Sequence, residues 1–99
     1  MGSKNKILIV DDSPINRSLL IDILSPEYDI VEVENGLEAI GYIEKNLESI
    51  SLVLLDIVMP VMNGFEVLML MNKNNWIQYL PVITITSDTA SQSIDKAYD

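Results

Sequence analysis

Ninety-nine residues, 48% of them apolar, are enough for one small domain with a real core and leave no room for two. The formal charge is −9 and the six basic residues are scattered, so the clustered positive charge that a nucleic acid or an anionic membrane needs is missing; cationic partners or a metal fit better. With neither cysteine nor histidine, disulfides, thiolate sites, imidazole bases and the usual zinc sites are excluded, and any acid–base or metal chemistry must use carboxylates and hydroxyls.

The start, Met1-Gly2-Ser3-Lys4-Asn5, has no hydrophobic signal core behind it, and no apolar run approaches the ~18 residues of a membrane span, so the expected setting is cytoplasmic. Lys6-Ile7-Leu8-Ile9-Val10 is a continuous apolar, β-branched run stopped by Asp11-Asp12, which reads as a buried strand. Ser13-Pro14 then supplies an N-cap and a proline at the first helical position. Ile15, Leu19 and Ile23, with Leu20 and Leu24, are expected on the buried face of the first helix, and Asn16, Arg17 and Asp22 toward water. The helix should run about three turns and end near Ser25-Pro26. Asp29 to Glu34 alternates in part and carries charges, as an edge strand does. Asn35-Gly36 opens a second helix with Leu37, Ile40, Ile43 and Leu47 facing the sheet, where Gly41 should cost ~1 kcal/mol relative to alanine.

The run Leu52-Val53-Leu54-Leu55 is too short for an ordinary helix and lacks alternation, so it reads as a strand covered on both faces. Asp56 ends it. Ionising a carboxylate inside a dry sheet is costly, which places Asp56 at the strand's carboxyl end, where open α/β sheets form their crevice. Pro60 cannot extend a ladder and Asn63-Gly64 marks a turn, so residues 57–64 form a loop over that crevice. Phe65, Leu68 and Met71, with Val67, give the third helix its buried stripe. Met69 and Leu70 widen it, as an adaptable core face or as a partner surface. Trp76 and Tyr79 lie in the connection to a fourth strand, Pro81 to Thr86, and Ser87-Asp88 can cap a last helix carrying Ala90, Ile94 and Ala97.

Strands alternating with helices over short connections mean a doubly wound parallel α/β sheet with right-handed crossovers. In such a sheet every strand ends at one rim, so Asp11, Asp12, Asp56 and Thr86 converge there. Three carboxylates with no basic residue in these segments would repel one another unless a cation neutralises them. A hard divalent ion such as magnesium, which prefers oxygen ligands, is the expected remedy. No glycine-rich phosphate loop is present, the turn after the first strand does not suit a flavin or dinucleotide, and a serine-hydrolase triad lacks its histidine.

The blocks Ile7-Leu8-Ile9-Val10-Asp11-Asp12, Leu54-Leu55-Asp56-Ile57-Val58-Met59-Pro60-Val61-Met62-Asn63-Gly64 and Pro81-Val82-Ile83-Thr84-Ile85-Thr86-Ser87 resemble the signature segments of the receiver domain of two-component response regulators, in family order and spacing. The resemblance implies a flavodoxin-like fold with strand order 2-1-3-4 and residues 1–99 as one receiver domain. It implies Asp56 as phospho-acceptor from a sensor histidine kinase or a histidine phosphotransfer domain. Asp12 and Asp56 would bind Mg2+ directly with the Val58 backbone carbonyl, and Asp11 mainly through water. Thr86 would contact the phosphoryl group and pull its loop inward, beside a Ser87 small enough to leave room.

Receiver domains resemble five β/α units, so the same likeness implies a domain incomplete at its C-terminus, without the fifth strand, the fifth helix and the family's phosphoryl-binding lysine. Lys96 and Tyr98 do not come from the expected strand end. Two functions follow as expectations: a phospho-acceptor switch that assists its own phosphorylation, or a phosphorylation-incompetent interaction module that self-associates or swaps an element along the exposed edge Val82 to Thr86.

Overall fold

The computed structural model describes residues 5–57, 59 and 62–85. Their order is β1 (Lys6–Val10), α1 (Pro14–Leu24), β2 (Asp29–Val33), α2 (Gly36–Asn46), β3 (Ile50–Asp56), α3 (Gly64–Lys73) and β4 (Val82–Ile85), with short 3-10 turns at Leu47–Ser49 and Trp76–Gln78. The sheet is parallel throughout, in the order β2-β1-β3-β4. The expected doubly wound architecture and strand order 2-1-3-4 are therefore present. Positions expected in a last helix, and Thr86, Ser87, Lys96 and Tyr98, lie outside the described residues, as does Val58.

The central strands carry the apolar runs because both of their faces are covered. On one face Leu8, Val10, Val53 and Leu55 pack with Ala39 and Ile43 of α2 and Val67 and Met71 of α3. On the other, Ile7, Ile9 and Leu54 meet Leu20, Ile21 and Leu24 of α1. Helix starts follow local chemistry. The Ser13 side chain accepts from the Asn16 amide with Pro14 just inside α1, and Asn35 accepts from the Glu38 amide at the head of α2. At α3, Asn63 and Glu66 exchange side-chain-to-backbone bonds of 3.1 and 2.9 Å, a complete capping box.

The helix faces correct the expectation in three places. Ile15, Leu19 and Ile23 are 73%, 57% and 72% exposed, whereas Leu20 and Leu24 meet the sheet as expected, joined by Ile21. Leu37 on α2 and Phe65 on α3 are also exposed, while Ala39 and Ile43, and Gly64, Val67 and Met71, are the buried positions. Spacing alone locates an apolar stripe, whereas a flat sheet selects the i, i+3, i+4, i+7 row nearest its strands, and on α1 that row is Arg17, Leu20, Ile21 and Leu24. Met69 is exposed, which leaves α3 with less buried surface than its composition offers.

Two described residues between β3 and α3 show how this stretch is held. Met59 is buried in the core, and Met62 adopts a left-handed φ of 49°. The Met62 carbonyl lies where a Cβ on Gly36 would stand, so the start of α2 abuts this loop only because residue 36 has no side chain. Gly64 makes a similar approach on the other side: a Cβ there would lie 2.7 Å from the Ile57 Cα and 2.8 Å from the Asp56 carbonyl oxygen.

Candidate phosphoryl and metal site

Topology brings the acidic residues together. Val10 pairs with Leu55 in the parallel ladder between β1 and β3, so the chain delivers Asp11 and Asp56 side by side at the same rim. The Asp11 amide donates to the Val33 carbonyl at 3.2 Å, and the Ile57 amide to the Ile85 carbonyl at 3.1 Å, which extends the ladder through both carboxylate positions. Asp11 and Asp56 are 1% and 0% exposed, Asp12 is exposed, and one carboxylate oxygen from each lies within 4.8 Å of the others.

Two carboxylate oxygens on opposite sides of a magnesium ion stand roughly 4 Å apart, so this spacing suits a shared hard cation. The donor set agrees, since all three residues offer only oxygen. The Asp11 carboxylate adds a more specific observation. Its Oδ1 accepts from the Ser13 amide at 2.8 Å, while its Oδ2 is buried with no hydrogen-bond partner among the described residues. A buried acceptor without a partner costs about 1–3 kcal/mol, and a cation in the cradle would remove that cost. The residues therefore fit a hard divalent ion, with Asp12 open to solvent and to an arriving group.

Sequence reasoning missed one residue here. Arg17, expected to face water, has a side chain only 16% exposed. Its Nη1 donates to the Asp11 carbonyl at 2.6 Å and its Nε to Glu32 Oε1 at 2.9 Å. A guanidinium thus stands against the acidic turn, supplied by α1 from outside the motif segments, which carry no basic residue. The signal lay in the spacing, because Arg17 begins the i, i+3, i+4, i+7 row that Leu20, Ile21 and Leu24 complete. The described lysines do not approach the rim: Lys6 starts β1, and Lys45 and Lys73 fall in the last turns of α2 and α3, at the other end of the sheet.

The chain matches the model of the response regulator receiver domain over residues 7–99. PilH of Pseudomonas aeruginosa is 35% identical over 94 residues, covering 94% of this chain and 74% of PilH. The protein-glutamate methylesterase/protein-glutamine glutaminase of Pyrococcus horikoshii is 35% identical over 97 residues; the match takes in 95% of this chain and 26% of the enzyme, so this chain spans about a quarter of that relative's length. Among solved structures, the response regulator TrrA of Thermotoga maritima in complex with Mg2+-BeF superposes with a TM-score of 0.76 at 36% identity, over 90% of this chain and 75% of TrrA.

Proposed function

From the premise that this chain belongs to the response regulator receiver domain family, we propose that it accepts a phosphoryl group on Asp56 in a magnesium-dependent reaction and changes conformation in response. One observation carries the reading. Asp56 ends the central strand in a fully buried position, yet its carboxylate shares a 4.8 Å cluster with Asp11 and with the solvent-facing Asp12.

A carboxylate oxygen of Asp56 is the nucleophile. It forms a bond to phosphorus as the bond from phosphorus to the donor nitrogen breaks, leaving an acyl phosphate on Asp56 and the donor imidazole with the electron pair, to be protonated by solvent. Asp12 and Asp56 are the proposed direct ligands of Mg2+, with the Val58 carbonyl, and Asp11 acts mainly through bound water. The ion, when bound, neutralises phosphoryl oxygens and aligns the transfer. Burial of Asp56 limits access of water to the acyl phosphate, and the turn at Ser13 keeps the Asp11 carboxylate aimed into the cradle. Thr86 and Ser87 receive their proposed roles, phosphoryl contact and space for the group, from the resemblance alone. The added group brings nearly two negative charges, and rearrangement of the loops around them constitutes the switch.

The proposed donor is a sensor histidine kinase or a histidine phosphotransfer domain, in the cytoplasm, with residues 1–99 acting as one receiver unit. Among the described residues no helix is long and apolar enough to cross a membrane. The TrrA complex indicates the assay: titration with Mg2+ and beryllofluoride, a phosphoryl mimic, followed by backbone amide NMR. Saturable shifts at Asp11, Asp12, Asp56 and Ile57 that vanish in Asp56→Asn support the reading. Their absence in the unmutated protein refutes it.

A second reading, self-association, is favoured by the β4 edge. In the described sheet β4 pairs only with β3, and Ile83 is 51% exposed. Two copies pairing along β4 would cover it. Light scattering across a concentration series should then show a dimer that Ile83→Lys dissociates; a monomer throughout refutes self-association and leaves the phosphoryl reading intact.

A further inference from the structure

We infer that Arg17 is a positioning residue for the metal cradle: it holds the peptide between Asp11 and Asp12 in the orientation that aims Asp12 at the ion, while Glu32 holds Arg17. The inference rests on the magnesium reading above and concerns a residue that does not touch the ion.

The carbonyl that Arg17 grips belongs to the peptide joining the two acidic residues. Asp11 is otherwise secured, by its amide in the ladder to Val33 and by its Oδ1 on the Ser13 amide. Asp12 is not: it is exposed, and its aim depends on the plane of the peptide before it. The 2.6 Å bond from Nη1 fixes that plane, and the Nε bond of 2.9 Å to Glu32 anchors the guanidinium to β2. Three elements, the end of β1, the first turns of α1 and the edge strand β2, are thereby tied through one planar fork. Lysine offers only a point charge and cannot span both acceptors in that geometry.

Positioning and plain electrostatics give opposite signs. A positive guanidinium near a cation site repels the cation, so removing it would tighten magnesium binding if charge were all that mattered. If Arg17 sets the aim of Asp12, removing it weakens binding. Groups that orient metal ligands typically contribute 10–100-fold in affinity, and for one ligand out of three the lower end, roughly tenfold, is expected.

The test is Mg2+ affinity, read from the amide shifts of Asp12 and Asp56 in the whole chain, for Arg17→Ala, Arg17→Lys, Glu32→Ala and the double variant Arg17→Ala/Glu32→Ala. Arg17→Ala should raise the Kd roughly tenfold and Arg17→Lys should recover only part of it. Glu32→Ala should raise it less in the parent and have no further effect once Arg17 is gone, because Glu32 acts through Arg17. A Kd unchanged or lowered in Arg17→Ala overturns the inference, as does an undiminished Glu32 effect in the double variant. Should Arg17→Ala fail to fold, judged by its metal-free spectrum, Arg17→Lys decides alone: a raised Kd supports positioning and an unchanged one refutes it. Failure of the unmutated protein to bind Mg2+ overturns the metal reading itself, which is a different result from equal binding by all variants.

Discussion

Alanine substituted at Gly64 and at Gly41 should move stability in opposite directions, although both glycines lie in helices of the same small domain. At Gly64 the added Cβ would stand 2.7 Å from the Ile57 Cα, 2.8 Å from the Asp56 carbonyl oxygen and 3.3 Å from the Asp56 carbonyl carbon. All three are backbone atoms at the end of β3 and cannot swing aside. Relief requires α3 to retreat, stretching the 3.0 Å bond from the Gly64 amide to the Ile57 carbonyl. Overpacking of this kind costs about 1–3 kcal/mol, and the helix-propensity gain at the first turn recovers a fraction of the ~1 kcal/mol available in a helix interior. The net expectation is a loss of about 2 kcal/mol, or roughly 10 °C in Tm for a domain of this size. At Gly41 an alanine Cβ would meet nothing within 4 Å, so Gly41→Ala should gain up to ~1 kcal/mol. Urea unfolding followed by the fluorescence of Trp76, which packs against the main core, measures both variants under identical conditions. Gly64→Ala should also shift the Asp56 and Ile57 amides in the folded state. If Gly64→Ala lies within about 0.5 kcal/mol of the parent, the close approach of α3 to the acceptor strand is refuted.

Magnesium should stabilise the fold through the cradle: at a hundred times its Kd the gain is about 2.7 kcal/mol, and Asp56→Asn should abolish it in a thermal melt. Asn63→Ala removes one half of the capping box and should cost about 1 kcal/mol while loosening the loop over the site, seen as faster amide exchange at Glu66. On α1, Leu19→Ala should stay within about 0.5 kcal/mol of the parent and Leu20→Ala should cost about 1–2 kcal/mol; equal costs would refute the face assigned to the sheet.

The architecture was legible because strand character and site placement share a cause. Ile7 to Val10 and Leu52 to Leu55 are continuous apolar runs only because both faces of a central parallel strand are covered, and such strands must end where polar groups can emerge. Asp11, Asp12 and Asp56 are those ends, so their convergence could be read before any coordinate. The helix faces were less legible. Ile15, Leu19 and Ile23 look like a buried stripe, but the contact row of α1 begins with Arg17, whose charge disguises a position defined by geometry. Exposed Leu37 and Phe65 show the same limit: hydrophobicity marks what can be buried, and the neighbouring strand decides what is. Gly36 reads as the opening of a helix and Gly64 as part of a turn, yet their use is to let two helix starts close on the segment beside Asp56, a contact between distant segments that no local pattern encodes.

Locating the phosphoryl group tests the central claim most directly. The chain is incubated with a small acyl phosphate donor with and without Mg2+, any aspartyl phosphate is trapped by borohydride reduction, and the modified residue is identified by peptide mass spectrometry. One modification, at Asp56 and dependent on magnesium, is the expected result. No modification, or modification at Asp11 or Asp12 with Asp56 untouched, would contradict it.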